Sequence, residues 1–125
     1  MGDKLKNGKI SDDCKRHFKA INDTLYILNG KWRVTIIACL ASGKKRYLEL
    51  QHIVEGIGPK MLSKELNKLE LNGLITRTTL ETRPVTVEYE LTEYALSLKS
   101  LTDEMGAWGK QHREKVIKDL HSAGI

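Results

Sequence analysis

Hydrophobic positions along this chain recur mostly at helical spacing, with one interval of strict alternation. After a polar opening that includes Gly2, Asn7 and Gly8, Asp12 and Asp13 offer N-cap chemistry ahead of Phe18, Ile21, Leu25 and Leu28 on one helical face. Asn29-Gly30 ends that pattern. A second helix is expected from about Lys31 to Ala41, where Trp32, Ile36, Ile37, Cys39 and Leu40 leave it largely buried, and Ser42-Gly43 stops it. A short third helix follows from about Tyr47 to Val54, with Leu48, Leu50 and Ile53 apolar.

The next segment is punctuated at both ends. Gly58 is an acceptable N-cap, and Pro59 carries the φ that the first helical position requires. Leu62, Leu66 and Leu69 then share one narrow arc, and Asn72-Gly73-Leu74 predicts a Schellman stop with Gly73 left-handed and Leu74 folded back toward Leu69. Leu71 projects outward on an ideal wheel, so the end of this helix is expected to distort or pack elsewhere. Ile75–Leu80 and Val85–Leu91 read as two strands of a hairpin. Val85, Val87, Tyr89 and Leu91 alternate with Thr86, Glu88 and Glu90, and Glu81-Thr82-Arg83-Pro84 form the tip. Thr92 is placed to cap a long helix bearing Tyr94, Leu98, Leu101, Met105 and Trp108, which Val116, Ile117 and Leu120 continue.

The resulting order is helix, helix, helix, helix, hairpin, long helix. It predicts an α+β, mainly helical winged helix-turn-helix with N- and C-terminal helices available for dimerisation. A loose arm at 1–11, a single domain at 12–121 and a short tail at 122–125 complete the expected organisation. The 125 residues leave no length for a catalytic domain beside a binding module.

Composition narrows the function. The net charge is +5, and the basic excess lies in the first 83 residues. A surplus of that size permits an anionic partner without demanding one. The apolar run around Val34–Ala41 is too short to span a bilayer, and nothing at the start of the chain has the apolar stretch of a secretory signal, so a cytoplasmic protein with no membrane partner is expected. Cys14 and Cys39 make neither a disulfide framework nor a zinc motif, and His17, His52, His112 and His121 show no ligand spacing. With no nucleophile elbow, Walker loop or dinucleotide fingerprint in the chain, we expect no metal, no cofactor and no enzyme.

If Leu62, Leu66 and Leu69 face the core, Lys60, Lys64 and Asn67 lie near the opposite side, flanked by Ser63 and Lys68. Lysine suits phosphate or guanine, asparagine suits adenine, and serine suits base or backbone. A solvated charged face is the plain alternative for these lysines. Against it, Lys60 sits in the first turn, where the helix dipole disfavours a cation by about 0.3–1 kcal/mol and a nearby phosphate reverses the penalty. Arg83 at the hairpin tip suits a narrow minor groove, and Lys44-Lys45-Arg46 suit the DNA backbone.

Several blocks together carry a family resemblance. They are Asn29-Gly30-Lys31-Trp32, Gly43-Lys44-Lys45-Arg46-Tyr47-Leu48-Glu49-Leu50, Gly56-Ile57-Gly58-Pro59-Lys60-Met61-Leu62-Ser63, Leu69-Glu70-Leu71-Asn72-Gly73-Leu74-Ile75 with Arg77, Val87-Glu88-Tyr89-Glu90-Leu91-Thr92-Glu93, and Trp108-Gly109 with His112. In this order, from about Cys14 to His112, they resemble the HxlR family of MarR-like bacterial winged-helix regulators. The resemblance implies a homodimeric transcriptional regulator that binds double-stranded DNA at a pseudo-palindromic operator, often as a sensor of redox stress or electrophiles. Together with the residue reading above, the expected DNA contacts are Lys44, Lys45, Arg46, Lys60, Ser63, Lys64, Asn67, Lys68, Arg77 and Arg83. The chain departs from the family with Gly58 where serine is common, Ala95 where glycine is usual, and Lys15 where many members have proline after the cysteine.

Two further expectations concern regulation and assembly. Cys14 lies near a helix N-terminus and ahead of Lys15, Arg16 and His17, which favours thiolate, while Asp12 and Asp13 oppose it. It is the candidate redox sensor, with no effector identified. Cys39, inside a buried pattern, is expected in the core. Leu98, Leu101, Met105 and Trp108 are too apolar to face water alone, and Phe18, Ile21 and Leu25 complete the expected dimer seam. A winged-helix module that binds protein rather than DNA is the alternative.

Overall fold

The structure, a computed structural model, describes residues 11–124. The chain divides into two compact units at Lys31/Trp32. The expected arm at 1–11 lies outside the described residues except for Ser11.

In the first unit, helix α1 spans Asp12–Ile27. Its cap is Ser11 rather than either aspartate: the Ser11 hydroxyl accepts from the Cys14 N–H at 3.2 Å. Asp12 and Asp13 stand instead in the first turn, where carboxylates offset the helix dipole, and Asp13 pairs with Arg16. No residue of α1 is buried.

The second unit holds α2 (Lys31–Ala41, beginning at the junction), a two-residue strand β1 (Lys45–Arg46), α3 (Tyr47–Ile53), α4 (Pro59–Leu71), β2 (Ile75–Leu80), β3 (Thr86–Leu91), a 3-10 turn at Ala95–Ser97, and α5 (Leu98–Ser122). Its core takes most of the positions that periodicity singles out: Ile36, Ile37 and Leu40 from α2, Leu50 from α3, Leu62, Leu66 and Leu69 from α4, with Ile75, Tyr89 and Leu91 from the sheet. Against expectation, Leu48 and Ile53 of α3 are exposed and Cys39 is only half-buried. Trp32 lies 3.7 Å from where a Cβ on Gly56 would stand, so the tryptophan of α2 covers the turn between α3 and α4, whose backbone there is left-handed (φ 84°).

The stop of α4 follows the predicted geometry. The Leu74 N–H donates to Leu69 O and the Gly73 N–H to Glu70 O, both at 3.0 Å, with Gly73 at φ 74° and Leu74 and Leu69 buried. Thr92 ties this turn to the sheet exit. Its hydroxyl donates to Gly73 O at 2.8 Å and accepts the Ala95 N–H at 3.1 Å. Thr92 therefore caps the 3-10 turn, and α5 proper begins only at Leu98.

The sheet is antiparallel in the order β1-β3-β2, with Ile75 opposite Leu91 and Leu80 opposite Thr86. Two details differ from the sequence expectation. Lys45-Arg46, to which the hydrophobic pattern gives no element, form the third strand against Tyr89 and Glu88. Val85, expected to begin the inward alternation, precedes β3 and is exposed. Pairing ends at Leu80–Thr86, so Val85 belongs to the tip. At about 3.3 Å per residue the six-residue strands carry that tip roughly 20 Å from the sheet base.

Candidate nucleic-acid interface

Helix α4 presents two chemically distinct sides. Leu62, Leu66 and Leu69 are essentially inaccessible, while Lys60, Ser63, Lys64 and Asn67, spaced i, i+3, i+4 and i+7, are exposed. Lys68 is half-buried beside them. No acidic residue occupies the first turn of α4, so Lys60 stands unopposed at the positive end of the helix. Leu71 extends the exposed row. Contrary to expectation the helix neither distorts nor packs there, and Leu71 is 86% exposed. The bonds that close the Schellman turn do not involve the Leu71 side chain and leave it outside.

Two contacts fix α4 in rotation and in place, and neither follows from hydrophobic periodicity. Arg33 of α2 donates through Nε to Glu65 Oε2 at 2.7 Å, with the two side chains 14% and 11% exposed. Glu65 stands between Lys64 and Leu66 at the edge of the apolar arc, and a charged residue in that arc was the signal available. At the N-terminal end, the Tyr47 hydroxyl donates to Pro59 O at 2.9 Å and lies 3.0 Å from Ser63 Oγ. Tyr47 opens α3, so the basic segment that immediately precedes it is held beside the first turns of α4.

The basic triplet is less uniform than its sequence. Lys44 Nζ lies 3.8 Å from Glu88 Oε1. Lys45 donates to Ser42 Oγ and Gly43 O, both at 3.2 Å. Arg46 is exposed; its N–H donates to Glu49 Oε1 at 2.9 Å, which settles the start of α3. On the hairpin, Arg77 sits opposite Tyr89 and is exposed, and Arg83 is exposed at the tip.

A helix held by its neighbours, with a polar and basic outer row, followed by a basic-tipped hairpin, is the arrangement of a winged helix-turn-helix. The profile of the HxlR-like helix-turn-helix family matches residues 27–117. The chain belongs to that family. Among its relatives, the uncharacterized HTH-type transcriptional regulator YtcD of Bacillus subtilis is 39% identical over 108 residues, covering 86% of each chain. The reduced form of the redox regulator HypR superposes with a TM-score of 0.73 at 31% identity, over 79% of this chain and 98% of that one. The reduced form of the transcriptional regulator YodB from B. subtilis gives 0.64 at 35% identity, over 74% and 90%. This HxlR-family chain is thus a transcriptional regulator with a helix-turn-helix DNA-binding fold, and its relatives are regulators rather than enzymes. No helix among the described residues is long and apolar enough to cross a membrane.

The remaining candidates are carried by α1, α2 and α5. Cys14 is half-buried in the first turn of α1, and neither it nor Cys39 forms a disulfide. Cys39 is half-buried on α2, and burial raises its thiol pKa against the pull of the Lys45 ammonium. Along α5, Leu98 is half-buried, Leu101, Met105 and Trp108 are exposed, and so are Val116, Ile117 and Leu120. On α1 the same holds for Phe18, Ile21 and Leu25.

Proposed function

We propose that this HxlR-family protein is a homodimer that binds a pseudo-palindromic operator, with α4 in the major groove and the hairpin tip over the backbone or adjacent minor groove. The observation that carries the reading is the division of α4, with leucines sealed on one side and Lys60, Ser63, Lys64 and Asn67 open on the other. Lys60 and Lys64 supply charge for phosphate or guanine, Asn67 matches the edge of adenine, and Lys44, Arg46, Lys68 and Arg77 add basic contacts around them. Arg83 is the side chain that the wing offers to a narrow minor groove. Lys45, held by Ser42 and Gly43, shapes the loop and reaches DNA only by exchanging those bonds.

Dimerisation is supported by α5 itself. Of its 25 residues only Thr102 is buried, yet it carries a row of large apolar side chains. Covering Leu101, Met105 and Trp108 with the same face of a second copy removes that apolar surface from water, and α1 contributes Phe18, Ile21 and Leu25. Two copies of α4 then read two half-sites about one helical turn apart, roughly 34–36 Å. Cys14 is the proposed redox-responsive group. It lies half-buried in the first turn of α1, and a structural neighbour is named as a redox regulator.

Titration of the protein onto operator-bearing DNA at several salt concentrations tests the reading. Counterion release predicts a slope of log affinity against log salt near −0.9 per neutralised phosphate, shallower in a Lys60→Ala/Lys64→Ala/Arg83→Ala variant. A flat salt dependence shared by both proteins would instead favour a protein-binding winged helix.

A further inference from the structure

The hydroxyl pair at the start of α4 has a proton count that restricts what Ser63 can recognise. The Tyr47 phenol carries one hydrogen and Ser63 carries one. Tyr47 Oη lies 2.9 Å from the carbonyl oxygen of Pro59 and 3.0 Å from Ser63 Oγ. A carbonyl oxygen can only accept, so the phenolic hydrogen goes to Pro59. The Tyr47–Ser63 contact then needs its hydrogen from serine. Both hydrogens are then spent inside the protein, and the exposed Ser63 has only lone pairs left to offer.

We propose that Tyr47 is a specificity-determining positioning residue, which commits the Ser63 proton and makes Ser63 an acceptor-only reader in the exposed row of α4. In the major groove adenine N6 and cytosine N4 are donors, whereas guanine O6, guanine N7 and thymine O4 are acceptors. Ser63 in this state accepts from adenine or cytosine. It has no hydrogen for guanine, thymine or a phosphate oxygen. Every base pair has one amino-bearing base on the major-groove side, so the discrimination is between strands: the base beneath Ser63 is A or C, and its complement is not tolerated in that place. Lys60 and Lys64, which only donate, flank Ser63 and complete the reading with the opposite polarity.

This inference rests on α4 reading DNA, and selection from a random duplex library separates the two claims. Wild type, Ser63→Ala and Tyr47→Phe are compared, with thermal unfolding confirming that each variant is folded. Ser63→Ala locates the position by losing its preference. Wild type is expected to favour A or C there by about tenfold, within the range of a good base contact. In Tyr47→Phe the serine proton is released, so the preference falls below about twofold while the other positions keep theirs. If Tyr47→Phe keeps the wild-type preference, or weakens binding uniformly over all positions, the proposal is overturned and Tyr47 only braces the helix. If wild type enriches no sequence at all, the DNA-reading assignment fails and this inference with it. A second measurement does not depend on the variants folding. Wild type bound to a site in which the adenine beneath Ser63 is replaced by purine, which lacks the N6 amino group, should lose about tenfold, while 7-deaza-adenine should bind like adenine. Equal binding of purine and adenine would refute the assignment.

Discussion

Replacing Arg33 by methionine should unseat α4 more than any single change on its outer face. The guanidinium and the Glu65 carboxylate meet at 2.7 Å with 14% and 11% of their side chains exposed. At an effective dielectric of 20, charges at that separation attract by roughly 6 kcal/mol. Several kcal/mol of lost hydration per ion offset most of this, leaving the intact pair with a small net effect. Removing the arginine withdraws the attraction but leaves Glu65 beside the core leucines, at a cost of about 3–5 kcal/mol. Against a total stability of about 5–15 kcal/mol this is severe. Urea unfolding followed by circular dichroism at fixed protein concentration measures it. With a slope of about 1–3 kcal/mol per molar urea, a loss of about 3 kcal/mol lowers the midpoint by at least 1 M. The double variant Arg33→Met/Glu65→Leu removes both charges and should return most of the loss, since apolar replacement of a buried pair is commonly near neutral. A single variant within about 0.5 kcal/mol of wild type, or a double variant no better than the single one, would refute the reasoning.

Other consequences can be checked separately. Trp108→Ala, which removes a largely exposed ring stacked on His112 at 5.0 Å, should leave the fold intact and shift the protein toward monomer in light scattering at micromolar concentration. Gly73→Ala meets no neighbouring atom within 4 Å but forces a side chain onto φ 74°, so thermal unfolding should show a loss of about 1–2 kcal/mol from backbone strain alone. Lys60→Ala should reduce the salt slope of DNA binding by about one unit, measured by fluorescence anisotropy. In a Cys14→Ser variant, Cys39 should alkylate more slowly near neutral pH than in unfolded protein. Its raised pKa keeps it as thiol, and the gap should narrow as pH rises toward that pKa. Cys14→Ser should also bind DNA equally with and without oxidant, whereas wild type should release it.

Much of this architecture was legible because local chemistry and core packing agree. Gly58-Pro59 and Asn72-Gly73-Leu74 bound α4 at the predicted residues, since each end is fixed by backbone conformations few other residues favour. The bounds of α2 came from an apolar run closed by Gly30 and Gly43, both at positive φ. What escaped depends on partners distant in sequence. Strand β1 exists only because β3 is there to pair with Lys45 and Arg46, and one lysine and one arginine carry no strand signal of their own. The Arg33–Glu65 pair joins residues 32 apart, and the Tyr47 bridge joins residues 12 and 16 apart. At α1 the cap fell to Ser11, one residue before the aspartates, because three neighbouring side chains could all have served and geometry selected one. The exposed row of the candidate interface followed from the leucine arc alone, as the side of α4 that the leucines leave free.

The most direct test of the central claim is selection of binding sites from a fragmented bacterial genomic library, with wild type and the Lys60→Ala/Lys64→Ala/Arg83→Ala variant run in parallel. The account predicts that wild type alone enriches a short inverted repeat whose half-sites are centred about 10–10.5 base pairs apart, or a multiple of that spacing. Folded, dimeric wild type that enriches nothing, or a triple variant that enriches the same repeat equally well, would contradict it.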